Sequence, residues 1–211
     1  MNPTRIFLIR HGQVVNHHEF RYNGHFDVDI TDTGVEQMDA VAGLLSNYPV
    51  KAVYSSDLTR AVKGAEIIGR RLGLAPSRLP ALRELSLGRW EGLTREEAVS
   101  RFPEDSHLSF RNLGFDRIGG GEGLPDLNAR VLPAIAGIVE AHAGGSVCIL
   151  AHGGVNRVVL CDAMGLSVEN FFRIEQDYGC VNVIDYFADG CKVVKLLNGG
   201  PNQGLNPARI Y

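Results

Sequence analysis

The sequence contains few cysteines, no excess of positive charge and no long apolar run. Its four cysteines, Cys148, Cys161, Cys180 and Cys191, include no pair with the CxxC spacing of a zinc ribbon or a thioredoxin-type site. The net charge of −3 argues against a nucleic-acid-binding protein, which normally carries a basic stripe. No apolar stretch reaches the length of a transmembrane helix or of a signal-peptide core. These absences predict a cytoplasmic protein that binds neither nucleic acid nor membrane.

The apolar residues that are present form short runs that alternate with helical patterns. The hydrophobic fraction of 45% is typical of globular proteins, and 211 residues fit a single domain, 1–211. We expect strands in RIFLIR, KAVYSS and SVCILA, helices over 31–46, 57–72, 124–142 and 153–165, and a hairpin in CVNVIDYF and CKVVKLL. This alternation predicts an α/β fold with a mostly parallel sheet, covered on both faces, and an antiparallel edge formed by the hairpin.

The first two helices carry signals for their ends and their buried faces. The spacing of Thr33 and Glu36 predicts a capping box at the start of the first helix. The inward face of that helix is predicted to comprise Val35, Met38, Ala42 and Leu45. The inward face of the second helix is predicted to comprise Leu58, Ala61, Ala65, Ile68 and Leu72, with Gly73 as its stop.

Two segments fall outside the alternation of strands and helices. Residues 94–123 are polar, aromatic and glycine-rich, and we interpret them as a small lid insertion. The tail, residues 198–211, is rich in turn-forming residues and is predicted to be irregular.

Two histidines directly follow two of the expected strands. His11 comes after RIFLIR and His152 after SVCILA, and a glycine follows each of them. Because parallel strands end at a common edge where ligands bind, we expect the two imidazoles to lie together there. Arg10 precedes the first histidine, and Arg60 lies in the first turn of the helix after KAVYSS. Both guanidinium groups therefore add positive potential at this edge, together with the helix N-terminus.

Two arginines directed at one point indicate a phosphate or carboxylate ligand. An imidazole in such a site can attack phosphorus, and the leaving oxygen then needs a proton donor. The stretch LRELSLGRWEGLT offers Glu84 or Glu91 for this role. Glu84 follows a turn-containing stretch that can bring it to the sheet edge, whereas Glu91 is more typical of a structural hydrogen-bonding residue.

Five motifs, RHG, SSDLTRA, LRELSLGRWEG, GGGEG and AHGGVNR, occur in this order along the chain. Together they resemble the histidine phosphatase superfamily, the phosphoglycerate-mutase-like group. The resemblance implies a three-layer α/β/α sandwich and a phosphohistidine intermediate, with His11 as the nucleophile and Glu84 as the acid. The resemblance also implies that the phosphoryl group is bound by Arg10, Arg60 and His152. It implies that the pocket is lined by Asn16, Asn23, Gly24 and the backbone at Gly153.

Three positions differ from residues that are frequent in the family, and a fourth differs from its mutases. Gln13 stands where a Glu is frequent, Gly64 where a Thr is usual, and Gly123 where a Ser is usual. A glycine inside a helix costs about 1 kcal/mol relative to alanine, so we expect Gly64 to mark close packing. The mutases of the family carry an arginine directly after the acid glutamate. Here that residue is Leu85, which favours a phosphatase.

The sequence therefore predicts a histidine acid phosphatase-type phosphomonoesterase that needs neither a metal nor another cofactor. RYNGHFDVDIT and FRIEQDYGCVNVI resemble the α-ribazole phosphatases of cobalamin biosynthesis, so α-ribazole phosphate is one candidate among small phosphorylated metabolites. Two alternatives are compatible with the same motifs: a phosphoglycerate mutase-type phosphotransferase and a phospho-ligand-binding protein without turnover. The chain could also form a homodimer.

Two other kinds of site are disfavoured by the sequence. His17, His18 and His25 have no accompanying carboxylate pair, so we expect pocket or surface roles and no metal site. AHGG is similar to the oxyanion loop of lipases, but no G-x-S-x-G nucleophile elbow occurs in the chain, which argues against a serine hydrolase.

Overall fold

A computed structural model describes residues 2–108 and 116–201 of the chain. The strands are β1 (Thr4–Arg10), β2 (Val50–Ser55), β3 (Ser77–Arg78), β4 (Ser146–Ala151), β5 (Val181–Tyr186) and β6 (Lys192–Gly199). The α-helices are α1 (Asp32–Leu45), α2 (Thr59–Leu72), α3 (Arg95–Arg101), α4 (Leu124–Ala141) and α5 (Gly153–Ala163). Every strand and helix predicted from the sequence is therefore present, and the two-residue β3 and the short α3 are additional.

The six strands form one sheet in the order β3-β2-β4-β1-β5-β6. Strand β4 pairs in parallel with β1 and with β2, and β2 pairs in parallel with β3. Strands β5 and β6 pair antiparallel to their neighbours and form the edge of the sheet. The prediction of a mostly parallel sheet with an antiparallel edge from the last hairpin is confirmed.

Helices cover both faces of the sheet, which gives the predicted three-layer sandwich. Strand β1 shows the alternation clearly, because successive side chains of a strand point to opposite faces. Ile6 and Leu8 pack in a core with α4 and α5. Phe7 and Ile9 pack in the second core, with α1 and α2. Since all four side chains are fully buried, β1 lies between two apolar layers and its end is held rigidly.

Helix α1 lies where it was predicted, between its caps Thr31 and Ser46, but its capping interaction and one residue of its buried face differ from the prediction. Thr31 is the N-cap, and its side-chain oxygen accepts a hydrogen bond from the Gly34 N–H at 3.0 Å, so the capping box of Thr33 and Glu36 is wrong. The inward position of Val35 is also wrong, because this side chain is 37% exposed. The buried face consists of Gly34, Met38, Val41, Ala42 and Leu45. Val35 is about 100° around the helix from Gly34 and lies at the edge of this face.

Helix α2 agrees with the prediction at its core positions and at its end. Gly73 follows the last turn with φ of 69°, the left-handed conformation that favours glycine. Close packing at Gly64 is confirmed, because a Cβ there would lie 2.6 Å from Leu150 Cδ2 and 2.8 Å from Met38 Sδ. Of the predicted inward residues, Leu58, Ala61, Ala65 and Ile68 are buried and Leu72 is half-buried.

Residues 94–108 and 116–123 pack against the rest of the domain. They contribute the buried side chains of Ala98, Leu108 and Ile118 to the core under α4. The rest of the predicted lid, residues 109–115, lies outside the described residues, and so do residues 202–211 of the predicted tail. The lid therefore stays a prediction. None of the helices in the described ranges is long and apolar enough to cross a membrane.

The turn after β1 touches the first turn of α1 through two glycines. A Cβ on Gly12 would collide with the carbonyl oxygen of Gly34. A Cβ on Gly34 would lie 2.5 Å from the carbonyl oxygen of Gln13. Because both obstacles are main-chain atoms, neither can turn aside as a flexible side chain would.

This contact predicts opposite effects for two alanine substitutions in α1. Gly34→Ala should lower the free energy of unfolding by about 1–3 kcal/mol, because the new methyl group forces the two main chains apart. Gly43→Ala should raise it by about 0.5–1 kcal/mol, since nothing lies within 4 Å of its Cβ position and alanine favours a helix. Urea unfolding of both variants measures the difference. Equal stabilisation by the two changes would contradict the close contact.

Candidate active site

The carboxyl ends of β1, β2 and β4 meet at one edge of the sheet. The register pairs Arg10 with Ala151, so the residues that follow, His11 and His152, emerge side by side. Their ring centroids are 5.2 Å apart with an edge-to-face tilt. The structure thus brings together the two strand-end histidines that the sequence singled out.

His11 is held through its main chain and through one ring nitrogen. Its N–H donates to the Ala151 carbonyl oxygen, and its own carbonyl oxygen accepts from the Gly179 N–H. Ring atom Nδ1 lies 2.8 Å from the carbonyl oxygen of Gly12. A carbonyl oxygen only accepts, so Nδ1 carries the proton and the lone pair is on Nε2. Burial lowers the pKa of His11 well below its ordinary value, and Arg60 and Arg10 lower it further, so the ring is neutral at pH 7.

His152 is fully buried behind His11 at the start of α5. Its Nε2 is 2.7 Å from the Ser56 hydroxyl oxygen, at the end of β2. Burial lowers the pKa of His152 well below its ordinary value, with a further contribution from Arg60. Its Nδ1 is one of four buried side-chain polar atoms without a hydrogen-bond partner in the described part of the chain.

Arg60 lies in the first turn of α2 and is only 1% exposed. Its Nη2 donates to the Gly24 carbonyl oxygen at 2.6 Å, and its Nη1 donates to the Phe26 carbonyl oxygen at 3.0 Å. Gly24 has φ of 46°, the left-handed region, which turns the loop so that its carbonyl group reaches the guanidinium. Burial lowers the pKa of Arg60, which nevertheless stays charged.

Arg10 approaches the site from the opposite side. Its Nη1 donates to the Gln176 carbonyl oxygen at 2.6 Å, and its guanidinium lies over the Tyr178 ring at 4.1 Å from the ring centroid. Its Nε is another of the buried polar atoms without a partner within residues 2–108 and 116–201. This N–H is therefore available to an anion beside His11.

Glu84 reaches the same pocket from the irregular segment after β3. Its Oε1 accepts the Leu85 N–H at 2.8 Å, and its Oε2 accepts the Gly154 N–H at 3.0 Å. A Cβ on Gly154 would collide with the carboxylate, so this close approach requires glycine. Glu91, the other candidate, accepts bonds from the Ser86 hydroxyl and the Leu87 N–H, which agrees with a structural role.

One pocket contains four of the five predicted catalytic residues. Its lining comprises Arg10, His11, Arg21, Tyr22, Asn23, Gly24, Arg60, Glu84, Leu85, Leu87, Gly154, Arg157, Phe171, Phe172 and Tyr178. His152 is not part of this lining, but its buried ring lies 5.2 Å from that of His11. The lining combines basic side chains with apolar and aromatic ones.

The four residues expected to bind substrate are distributed differently. Asn23 and Gly24 line the pocket, whereas Asn16 lines the adjoining cleft. Asn16 and Asn23 bind each other through reciprocal amide bonds of 2.7 and 3.1 Å. Gly153 begins α5 outside the pocket lining, and its neighbour Gly154 takes the lining position.

Arg157 and Tyr178 are among the pocket residues that the sequence reasoning missed. Arg157 follows Gly153 by four residues, hence one helical turn, and this spacing within AHGGVNR was a usable signal. Its Nε donates to the Ile174 carbonyl oxygen at 2.7 Å, and burial lowers its pKa. Tyr178 carried no signal, because its place beneath Arg10 depends on the loop before β5.

The described residues contain no group of three or more His, Cys, Asp or Glu side chains that could hold a metal ion. His25 instead contacts the pocket wall, with Nε2 at 2.8 Å from the Glu84 carbonyl oxygen.

Comparison with known proteins identifies relatives over most of the chain. A Mycobacterium tuberculosis protein named as bifunctional is 31% identical over 197 residues, which are 93% of this chain and 54% of that protein. The chain thus spans about half the length of the first curated relatives it matches. A glucosyl-3-phosphoglycerate phosphatase of Mycolicibacterium vanbaalenii is 34% identical, with 81% of this chain and 79% of the relative covered. A metal-independent phosphoserine phosphatase of Arabidopsis thaliana is also 34% identical, with 74% and 67% covered.

Solved structures show the same fold. The crystal structure of the α-ribazole phosphatase from Shigella flexneri superposes with a TM-score of 0.88 at 25% identity, and covers 96% of this chain and 100% of that one. The family model of the histidine phosphatase superfamily (branch 1) matches residues 6–199, from the strand that carries His11 to the last strand of the sheet. The chain belongs to the histidine phosphatase superfamily.

Proposed function

We propose that this protein hydrolyses a phosphomonoester through a phosphohistidine at His11. The observation that carries the proposal is the state of the His11 ring, which is buried, neutral and protonated on Nδ1. Its Nε2 therefore carries a lone pair next to the guanidinium groups of Arg10 and Arg60. A neutral imidazole beside buried cations is suited to attack on an anionic phosphoryl group.

In the first step, His11 Nε2 bonds to phosphorus as the bond from phosphorus to the ester oxygen breaks. Arg10, Arg60 and His152 stabilise the charge on the three equatorial oxygens. The unpartnered Arg10 Nε is proposed to bind one of these oxygens. His152 Nδ1 is proposed to bind another, in the tautomer in which Nε2 accepts the hydrogen bond of the Ser56 hydroxyl. Glu84 in its protonated form gives its proton to the leaving oxygen and becomes a carboxylate.

In the second step, water attacks the phosphohistidine. Glu84 takes a proton from the water as the water oxygen bonds to phosphorus. The bond between phosphorus and His11 Nε2 breaks at the same time. Inorganic phosphate leaves, and His11 and Glu84 return to their starting states. The arginines supply the positive charge that a metal would supply elsewhere, and a relative named as metal-independent supports this reading.

The pocket supports a phosphatase rather than a mutase. A mutase must bind a second anionic group of its substrate, but Leu85 stands directly after Glu84 and lines the pocket beside Leu87. The aromatic rings of Phe171 and Phe172 extend this apolar wall. The other two arginines of the pocket lining already have partners. Arg21 pairs with Glu19 and Glu97, and Arg157 binds the Ile174 carbonyl oxygen and pairs with Glu175. A small metabolite with an uncharged, partly apolar leaving group therefore fits this pocket best. α-Ribazole phosphate is one such candidate, supported by the likeness to the Shigella flexneri enzyme.

A phospho-ligand-binding protein without turnover would share the arginines and His152. The carboxylate of Glu84, held within the same pocket, favours the enzyme, because simple anion binding gains nothing from a nearby negative group.

Removal of the nucleophile predicts the loss of turnover. His11→Ala should retain its fold but lose at least about a thousandfold in phosphatase rate, which corresponds to about 4 kcal/mol of activation barrier. Acid-quench labelling of the unsubstituted protein should show phosphate in an acid-labile, base-stable bond. Label on serine or aspartate would overturn the proposal, as would turnover of His11→Ala at the original rate.

Substitution of the acid predicts a dependence on the leaving group. Glu84→Gln keeps the size of the side chain but cannot donate the proton. Formation of phosphohistidine from an alkyl phosphate should slow by about 10²–10⁴-fold. Formation from nitrophenyl phosphate should slow far less, because nitrophenolate needs little protonation to leave.

Rapid mixing is required for this measurement, since Glu84 also activates the water of the second step. With nitrophenyl phosphate, Glu84→Gln should release a burst of nitrophenol and accumulate phosphoenzyme. Equal slowing with both esters and no burst would remove Glu84 from the role of acid.

The two buried histidines predict that stability declines with acidification. The pKa values of His11 and His152 are well below the unfolded value of about 6.5, so the unfolded chain binds more protons in that interval. The contribution of these two histidines to the free energy of unfolding should therefore be constant above the unfolded pKa of about 6.5 and fall as the pH drops below it. Each histidine contributes a slope of up to about 1.4 kcal/mol per pH unit. Urea unfolding between pH 7.5 and 5.5 tests this, and His11→Asn should show a shallower decline than the unsubstituted protein.

A further inference from the structure

The segment that carries Glu84 has almost no regular structure of its own. A 3₁₀ turn spans Pro80–Leu82, and the chain then runs irregularly to the next 3₁₀ turn at Gly88–Trp90. Such a segment lacks a ladder of main-chain hydrogen bonds, so its buried carbonyl and N–H groups need other partners. The carboxylate of Glu84 accepts directly from Gly154, but the main chain that carries it depends on the residues that supply those partners.

Arg130, from the middle of α4, supplies most of them. Its Nη1 donates to the carbonyl oxygens of Ala81 at 2.9 Å and Arg83 at 2.7 Å. Its Nη2 donates to the carbonyl oxygen of Glu84 at 2.7 Å. The other two N–H groups bind the two carboxylate oxygens of Glu122, at 2.7 and 2.8 Å. All five guanidinium N–H groups of Arg130 are thus used, three of them on this one segment.

Glu122 extends the same arrangement to the far side of Glu84. Its Oε2 accepts the Ser86 N–H at 2.9 Å, and its own N–H donates to the Ser86 carbonyl oxygen at 2.9 Å. Arg130 thus fixes the chain before and at Glu84, and Glu122 fixes it two residues later. Both side chains are 22% exposed, so solvent competes little for these bonds.

We propose that Arg130, together with Glu122, is a positioning residue that places the Glu84 carboxyl group for proton transfer. This inference rests on the proposed role of Glu84 as the acid. Proton transfer requires a distance of about 2.6–3.2 Å between the carboxyl oxygen and the leaving oxygen. A shift of about 1 Å can cost a hundredfold in rate, and the segment has no ladder of its own to resist such a shift.

Lysine is the informative replacement for Arg130. It keeps the positive charge near Glu84 but has no planar fork, so it cannot bind three carbonyl groups and a carboxylate together. A loss caused by Arg130→Lys therefore reports on geometry rather than on the removal of charge.

The test measures the rate of phosphohistidine formation in the first turnover, by rapid quench, with an alkyl phosphate and with nitrophenyl phosphate. Arg130→Lys should slow the reaction of the alkyl ester by about 10–100-fold. The nitrophenyl ester should react within about threefold of the original rate, because it needs little help from an acid. Phosphoenzyme formed from nitrophenyl phosphate should persist longer, since Glu84 also activates the water.

The matched control is Arg5→Lys, at the opposite end of β1. Arg5 is forked onto Asp185 through two bonds of 2.7 Å and is far from the pocket. This change disturbs a comparable arginine–carboxylate pair, and it should leave the rates of both esters unchanged. A leaving-group dependence in Arg5→Lys would show that general loosening of the fold produces the effect, and would overturn the assignment.

Two further variants separate the proposed acid role of Glu84 from the proposed positioning role of Arg130. They are Glu84→Gln alone and Glu84→Gln combined with Arg130→Lys. If Arg130 acts through Glu84, Arg130→Lys should add little to the slowing that Glu84→Gln already causes with the alkyl ester. Equal slowing of both esters by Arg130→Lys, or fully additive losses, would overturn the positioning role while Glu84 remains the acid. If Glu84→Gln itself shows no leaving-group dependence, the proposed function fails first.

A second variant covers the case in which Arg130→Lys does not fold. Glu122→Gln keeps the side-chain volume and one carbonyl acceptor but weakens the bonds to Arg130 and Ser86. It should show the same preference for the nitrophenyl ester to a smaller extent. Urea unfolding establishes that the variants are folded at the assay temperature, and a folded Glu122→Gln with unchanged rates for both esters would contradict the proposal.

Discussion

The arrangement of the pocket depends on two arginines, Arg10 and Arg60, whose positive charge is not neutralised by a carboxylate partner among the described residues. Arg60 is almost completely removed from solvent, yet its hydrogen bonds go to the carbonyl oxygens of Gly24 and Phe26. Arg10 likewise donates to a carbonyl oxygen and lies over an aromatic ring. Carbonyl dipoles solvate a guanidinium group without cancelling its charge, so the field at the end of β1 stays available to an anion. Arginines elsewhere, such as Arg5 and Arg130, are forked onto carboxylates instead.

Much of this arrangement could be predicted from the sequence, because it rests on short-range patterns. The apolar runs define β1 and β4, and His11 and His152 follow them directly, so the parallel pairing of the strands brings the rings together. Gly73 ends α2 for a reason local to one residue. The capping residue of α1 escaped prediction because Thr31 competes with Thr33 for this role. The loop before the helix favours Thr31, whose hydroxyl donates to the side-chain oxygen of Gln13.

The remainder depends on contacts between residues far apart in the chain. Glu84 approaches the histidines only because Gly154, 70 residues later, leaves room for its carboxylate and donates an N–H to it. Nothing near Glu84 in the sequence reveals this. The same helix start carries His152, so in the proposed mechanism one turn of α5 contributes both to anion binding and to the placement of the acid. The role of Arg130 could not be predicted either, because its five acceptor atoms belong to two separate segments of the chain.

Arg130 and Glu122 hold the main chain of residues 81–86, whereas the pocket is lined by side chains of this segment and its neighbour Leu87. This main chain is held by Arg130 of α4, while Leu85 and Leu87 line the pocket and also pack in the hydrophobic core. An apolar residue of similar volume at either position alters the surface that a leaving group meets, whereas the hydrogen bonds from Arg130 go to main-chain oxygens that every residue possesses. A gene duplicate could therefore diverge towards new esters through conservative apolar substitutions at these two positions, while the main chain next to them stays in place.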